Sequence, residues 1–316
     1  MKPAVSVIFP VYGVEDYIEN CLRSVVGQTF RDMELILVDD ESRDGSISVA
    51  EKFLEKTDLK WRVIRQKNSG QGAARDYGIR EARGKYVVCI DADDMVSPIF
   101  LESMYKEAES GEYDAVFTGF LSAKNGNPFY TGPVTFQPIS REDLLYQFLC
   151  RTLIPILPAM LIRREVILKY DLRVRAGCRF SEDVYFMWLL FSRVRTVAYT
   201  QAKLYHYLLR PNSTMTASSA ARIITGYEAF CALPQELNFI GDFQGVSYLL
   251  PRWVLGSLRT TAGISSYPEF YELAQKMNYR THVQALRGFP ERKARILAAC
   301  LRVSPRVFYN VVRRLG

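Results

Sequence analysis

The chain is expected to fold as an α/β protein: a doubly wound, mostly parallel sheet with helices on both faces, followed by a C-terminal helical extension. Three observations predict this. Apolar strand-like runs alternate with helical periodicity from residue 5 to residue 120, as when parallel strands are joined by crossover helices. The runs at 5–11 and 86–90 are apolar at nearly every position instead of every second one, so both faces of those strands should be buried. Past Ser213 the alternation gives way to helical patterns.

Residues 5–11 form the first strand, and Tyr17, Ile18, Cys21, Leu22, Val25 and Val26 mark the apolar face of the helix after it. Residues 34–38 form a second strand that ends at Asp39 and Asp40, and 45–54 a second helix. A third strand at 61–64, a helix at 73–82, a fourth strand at 86–90, a helix at 98–108 and a strand at 115–120 complete the regular part. Gly126, Pro128, Gly132, Pro133 and Pro138 then interrupt the pattern. The expected division is a sheet domain over 1–215 and a basic helical region over 216–316.

With 316 residues and 48% hydrophobic content, the chain can bury a large core. No apolar run is long enough to span a bilayer; the best, 153–162, is short and holds Pro155 and Pro158. The N-terminal apolar run is a strand pattern stopped by Pro10, not a signal peptide. Six cysteines without paired spacing suggest reduced core residues of a cytosolic protein. The formal charge is +7, and residues 251–316 carry 12 Lys and Arg against 3 Asp and Glu. A basic tail on a near-neutral body points to an anionic surface.

Asp91-Ala92-Asp93-Asp94 follows the fourth strand, and the carboxyl ends of strands are where open α/β sheets bind ligands. Carboxylates this close repel unless a cation lies among them, and hard divalent cations with phosphate oxygens meet that need. A solvated acidic turn is the alternative. Three further groups fall after strands or before a helix: Asp39-Asp40, the loop Asn68-Ser69-Gly70-Gln71-Gly72-Ala73-Ala74-Arg75, and Phe180-Ser181-Glu182-Asp183. The last pair could equally be a helix N-cap with a favourable neighbour. No G-x-G-x-x-G follows the first strand and no Walker A loop is present, which argues against a dinucleotide-binding domain and a P-loop ATPase.

Val5-Ser6-Val7-Ile8-Phe9-Pro10-Val11-Tyr12, Gln28-Thr29-Phe30, Val38-Asp39-Asp40-Glu41-Ser42, the Asn68–Arg75 loop, the Asp91–Asp94 turn and Glu182-Asp183 together resemble a family 2 glycosyltransferase of the GT-A fold. The resemblance is dense over 3–120, loose over 155–215 and absent after about 216. It implies that Pro10, Tyr12 and Asp40 hold the uracil and ribose of a UDP-sugar, with Arg75 near the phosphates and Asp91 facing the ribose. It implies that Asp93 binds Mn²⁺ or Mg²⁺ at the diphosphate, that Asp183 is the catalytic base, and that Glu182 contacts the acceptor or orients the site. His206 would complete the metal shell, or simply pack between its aromatic neighbours. Arg210–Thr214 would be a polar segment closing over the donor, or a plain loop. The implied activity is metal-dependent hexosyl transfer with inversion to a β-glycoside, in synthesis of a bacterial surface polysaccharide such as capsule; attachment of the basic tail to a membrane would suit a lipid-linked glycan acceptor.

Two residues depart from the family pattern: Glu41 stands where Gly is usual, and Asp76 where Asn is usual. Both are expected to add negative charge near the diphosphate and so to bear on donor choice. In the tail, Ser304-Pro305 opens a helix with Val307, Phe308, Val311, Val312 and Leu315 on one face. Ile296, Leu297 and Leu301 precede them, opposite Arg292, Lys293 and Arg295. These helices either pack on the body or attach in plane to an anionic inner leaflet, giving a cytoplasmic protein peripheral to the membrane. Nucleic acid is not expected as a partner, since no binding module accompanies the charge. Two rival functions remain from the residues alone: a non-catalytic nucleotide-sugar-binding subunit of a polysaccharide assembly, and a nucleotidyltransferase, disfavoured because no Gly-rich, Arg-containing loop follows Val11.

Overall fold

A computed structural model describes residues 2–123, 128–175, 177–209, 219–237, 243 and 245–315. In chain order the elements are β1 (Val5–Val11), α1 (Ile18–Val26), β2 (Met33–Asp39), α2 (Ser46–Leu54), β3 (Lys60–Arg65), α3 (Gln71–Glu81), β4 (Tyr86–Cys89), β5 (Met95–Val96), α4 (Phe100–Ser110), β6 (Ala115–Ala123) and β7 (Gln137–Ile139). There follow α5 (Arg141–Cys150), β8 (Met160–Arg163), α6 (Arg164–Lys169), α7 (Glu182–Arg193) and β9 (Val197–Leu208). The last are α8 (Ala220–Glu236), α9 (Val246–Ile264), α10 (Tyr267–Lys276), α11 (Tyr279–Ala285), α12 (Arg292–Val303) and α13 (Pro305–Leu315).

The chain forms two compact units. The first holds Met1–Asp143, Pro155–Ala176 and Phe186–Arg210; the second holds Leu144–Ile154, Gly177–Tyr185 and Pro211–Gly316. The second is thus more than a C-terminal extension, because two short earlier segments, one carrying Glu182 and Asp183, belong to it.

The first unit is built on a sheet of order β3-β2-β1-β4-β8-β6-β9-β5, with β7 paired to β9. Strands β3, β2, β1 and β4 are parallel. Every residue of β1 is buried, which is why its sequence does not alternate. Beyond β4 the sheet becomes mixed: β8 runs antiparallel to β4 and to β6, while β6 runs parallel to β9. Helix α3 lies close on β1 and β2, because Gly78 has no side chain there; a Cβ would approach Ile8 Cγ2 to 2.4 Å. The parallel arrangement brings the carboxyl ends of β1, β2, β3 and β4 to one edge, and the loops that follow them make the site.

The second unit is helical. Its centre is α9, with Trp253, Val254, Leu255 and Leu258 buried, and Trp253 stacks on Phe230 of α8 with centroids 4.8 Å apart. The apolar stripe foreseen on α13 is occupied within this unit: Phe308 is fully buried and stacks on Phe270 of α10 at 5.9 Å, and Tyr309 donates its hydroxyl to the Ser265 carbonyl at 2.8 Å. On α12 the expected division differs. Leu301 is buried, whereas Ile296 is 52% exposed on the side that carries Arg292, because Ala294, Ala298 and Leu301 supply the inner face. The cysteines are free: Cys21, Cys89 and Cys150 are buried as expected of core residues, Cys178 and Cys300 half-buried, and Cys231 exposed.

Candidate active site

Asp40 follows β2, and its amide donates to the Val11 carbonyl at the end of β1 at 3.0 Å. Its side chain is 3% exposed. Oδ1 accepts from Gln66 Nε2 at 2.7 Å and Ser69 N at 2.8 Å, and Oδ2 accepts from Gly70 N at 3.0 Å. Asp40 therefore shapes the loop that opens α3, where Gly70 takes φ +90°, a region open to glycine. Next to it, Pro10 is buried in register with Val38, and Tyr12 is 49% exposed at the rim.

Arg75, in the first turns of α3, reaches the turn after β4. Its Nη2 lies 2.5 Å from Asp91 Oδ1, with side-chain exposures of 4% and 13%. Gln71 Nε2 donates to the same oxygen at 2.9 Å. Asp93 is half-buried in this turn. The turn is locked by Asp94 N donating to Asp91 O at 2.9 Å. Asp94 is 1% exposed and accepts from the Tyr205 hydroxyl at 2.6 Å and from Leu208 N at 2.7 Å. Burial first, and then the charges of Asp91 and Asp93, raise the Asp94 carboxyl above the ordinary carboxylate range, against the pull of those two donors. The turn is crowded with negative charge, a condition that a cation relieves.

His206 lies on β9 opposite Met95, the residue after Asp94. It is 1% exposed, its ring is 4.6 Å from that of Phe129, and burial holds its pKa low. Among the described residues its Nδ1 has no hydrogen-bond partner, so a neutral imidazole presents an unsatisfied ring nitrogen. Among the described residues no three His, Cys, Asp or Glu side chains form a protein-only metal cage. Magnesium-type ions are commonly held by one or two carboxylates with substrate phosphates, and the hard oxygens of this acidic turn fit that class of donor set.

Glu182 and Asp183 open α7 and belong to the second unit. Asp183 Oδ1 accepts from Val184 N at 2.8 Å, and Ser181 just before them takes φ +58°. The first unit thus brings together Pro10, Tyr12, Asp40, Arg75, Asp91 and Asp93; Glu182 and Asp183 are placed by a separate set of contacts. Arg210–Thr214 lies outside the described residues.

The two departures find local explanations. Glu41 takes φ +63°, a left-handed conformation that favours glycine. Asp76 is paired with Arg80 at 3.2 Å and Arg173 at 3.4 Å, so its charge is balanced by neighbours within the first unit.

The model of the family described as Glycosyl transferase family 2 matches residues 6–171, a span that contains Pro10, Tyr12, Asp40, Arg75, Asp91 and Asp93 but not His206. The chain belongs to glycosyl transferase family 2. This family 2 chain is 36% identical over 219 residues to the uncharacterized glycosyltransferase EpsJ of Bacillus subtilis, covering 67% of the chain and 63% of EpsJ. It is 31% identical over 250 residues to the putative glycosyltransferase EpsH of Bacillus subtilis, covering 77% of the chain and 72% of EpsH. Among solved structures, S. aureus TarS 1-349 in complex with UDP-GlcNAc superimposes with a TM-score of 0.69 at 20% identity, over 99% of this chain and 91% of that one. A mannosyltransferase from Pyrobaculum calidifontis in complex with GDP-Man and Mn²⁺ gives 0.53 at 18%, over 99% and 87%. These structural likenesses show a shared GT-A-like fold.

Asp94, Tyr205 and Gln71 hold the acidic turn through their hydrogen bonds; the sequence shows Asp94 and Gln71 inside its motifs but gives none of the three a role of its own. Asp94 was visible as part of the acidic run. Tyr205 carried no signal, because its contact is made 111 positions away.

Proposed function

We propose that this chain is an inverting glycosyltransferase moving a hexose from a UDP-sugar to a hydroxyl of a lipid-linked glycan acceptor, forming a β-glycosidic bond in surface-polysaccharide synthesis. The observation that carries the reading is the convergence of Asp40, Arg75 and the Asp91–Asp94 turn on one edge of the parallel sheet. In the proposed site Tyr12, with an exposed ring just after β1, packs on the base, and Pro10 and Asp40 shape the wall around base and ribose. Asp91, held by Arg75 and Gln71, faces the ribose, and the Arg75 charge acts near the diphosphate. Asp93 would hold Mn²⁺ or Mg²⁺, with the orphan nitrogen of His206 as a second candidate ligand. Bound there, the cation supplies charge neutralisation for the departing UDP. Asp183 takes the proton from the acceptor hydroxyl as it attacks, and Glu182 orients the acceptor.

Support for the nucleotide comes from the TarS complexes with UDP-GlcNAc and UDP. Support for the polymer class comes from a similarity of 26% identity over 225 residues to the Bacillus subtilis minor teichoic acid biosynthesis protein GgaB. No described helix is long and apolar enough to cross a membrane. The outer side of α12 instead shows Ile296 and Val303, 52% and 81% exposed, among Arg292, Lys293 and Arg295. This supports peripheral attachment to the anionic cytoplasmic leaflet through that helix.

The test is nucleotide release from a panel of UDP-sugars and GDP-mannose with Mn²⁺. Release of UDP from one UDP-sugar, at a rate abolished in Asp93→Ala, supports the proposal. Release of GDP alone, or binding without any turnover, contradicts it, the latter in favour of a non-catalytic nucleotide-sugar-binding subunit.

A further inference from the structure

Three arginines gather in the second unit with little to balance them. Arg252 and Arg259 lie on α9 with Gly256 between them, at spacings of four and three residues that share one helix face. Arg151, just after α5, lies across Gly256: a Cβ there would be 3.0 Å from Arg151 Nη2. The absent side chain at position 256 thus leaves room for a third guanidinium between the other two. Arg151 holds this place from a left-handed backbone, φ +56°, which costs a non-glycine residue stability.

Among the described residues one carboxylate opposes them, Glu291, 3.0 Å from Arg252 Nη2. Neither Arg151 nor Arg259 has an ion-pair partner among the described residues, and Arg252 Nε is buried without a hydrogen-bond partner. Burial, followed by repulsion from Arg252 and Arg259, pushes Arg151 down to about 10, with Glu291 opposing. Arg151 and Arg259 nevertheless remain accessible to solvent, so a ligand can reach them.

We propose that Arg151, Arg252 and Arg259 bind a phosphate group, of the kind carried by a phosphomonoester or a diphosphate. Three guanidinium groups against one carboxylate leave two positive charges, which a phosphate dianion neutralises and a single carboxylate does not. Guanidinium forks match phosphate oxygens in pairs, and the unsatisfied Arg252 Nε gains an acceptor. The site lies wholly within the second unit and does not depend on the donor reading.

The experiment is a calorimetric titration of inorganic phosphate and of pyrophosphate into the full chain at low ionic strength, with thermal unfolding alongside. The variants are Arg151→Gln, Arg259→Gln and, as a control in the first unit, Arg75→Gln. Saturable binding weakened about tenfold or more in each cluster variant, as for loss of a charge-assisted hydrogen bond, and retained in Arg75→Gln, is expected. Arg151→Gln should also melt no lower than wild type without phosphate, since it removes a crowded charge, yet lose the phosphate-dependent rise in Tm. Vesicles of phosphatidylcholine with and without phosphatidic acid separate the sources. Sedimentation with the phosphatidic acid vesicles that is lost in the cluster variants assigns the site to a lipid headgroup; phosphate binding without it assigns a soluble phosphate ligand. Absence of saturable phosphate binding, equal binding of acetate, or loss only in Arg75→Gln would overturn the proposal.

Discussion

The Tyr205 hydroxyl on β9 donates to Asp94 Oδ2 at 2.6 Å and accepts from the Asp91 amide at 3.3 Å. One phenol on a distant strand therefore holds both ends of the acidic turn after β4. Tyr205→Phe removes a donor from a buried carboxylate and an acceptor from a backbone amide. It should lower unfolding free energy by roughly 1–3 kcal/mol, measured by urea denaturation. Metal-dependent nucleotide affinity should fall as well, because the turn loses its fixed shape; an unchanged affinity would mean that the turn is held by β4 alone.

Glu41 has a consequence for stability that is independent of its charge. Its left-handed backbone, φ +63°, disfavours a residue with a Cβ, and its carboxylate gains only a long contact of 3.3 Å from Asn68 N. Glu41→Gly should raise stability by about 0.5–1 kcal/mol after the extra flexibility of glycine in the unfolded chain is counted. Thermal unfolding reads this directly, and a lowered Tm would show that the Asn68 contact matters more than the backbone.

Glu34 supplies an acid-sensitive element at the other end of the sheet. Burial raises its pKa, but donation by Ser6 Oγ at 2.6 Å, by Arg83 N at 2.8 Å and by Arg62, which also carries opposite charge, outweighs this and leaves it below the usual glutamate value. A carboxyl depressed in the native state contributes stability above its unfolded pKa and loses it as pH falls through the native one. Wild type should lose stability more steeply than Glu34→Gln below about pH 4.5, as followed by denaturation midpoints from pH 6 to 3. Parallel curves would remove Glu34 from the account.

For the chemical step, Asp183→Asn should reduce turnover by roughly 10²–10⁴-fold with donor affinity nearly intact. Stopped assays of UDP release and a separate nucleotide titration give the two quantities. Equal losses in both would make Asp183 a donor ligand.

Much of this was legible in the residues. The apolar runs of β1 and β4 announced strands covered on both faces, and parallel pairing then placed Asp40, Arg75 and Asp91 at one edge. What stayed hidden depends on contacts between distant positions. Strand β9 lacks clean alternation, with Gln201 and Lys203 exposed and Tyr205 and His206 both buried, so neither its register nor the Tyr205–Asp94 bond could be read from it. The α13 stripe was plain, but periodicity records only that Phe308 and Val312 share a face, not that Phe270 covers it. Likewise, an Asp at position 76 says nothing of Arg173, which pairs with it from 97 positions away.

Metal-dependent donor binding is measured by titrating UDP into the full chain with Mn²⁺ and with chelator, in wild type and in Asp93→Ala. Wild type should bind saturably and lose affinity sharply on chelation, and Asp93→Ala should bind weakly and with no response to metal. Equal affinity in all four conditions would contradict the assignment of Asp93, and no binding in any of them would contradict the nucleotide site itself.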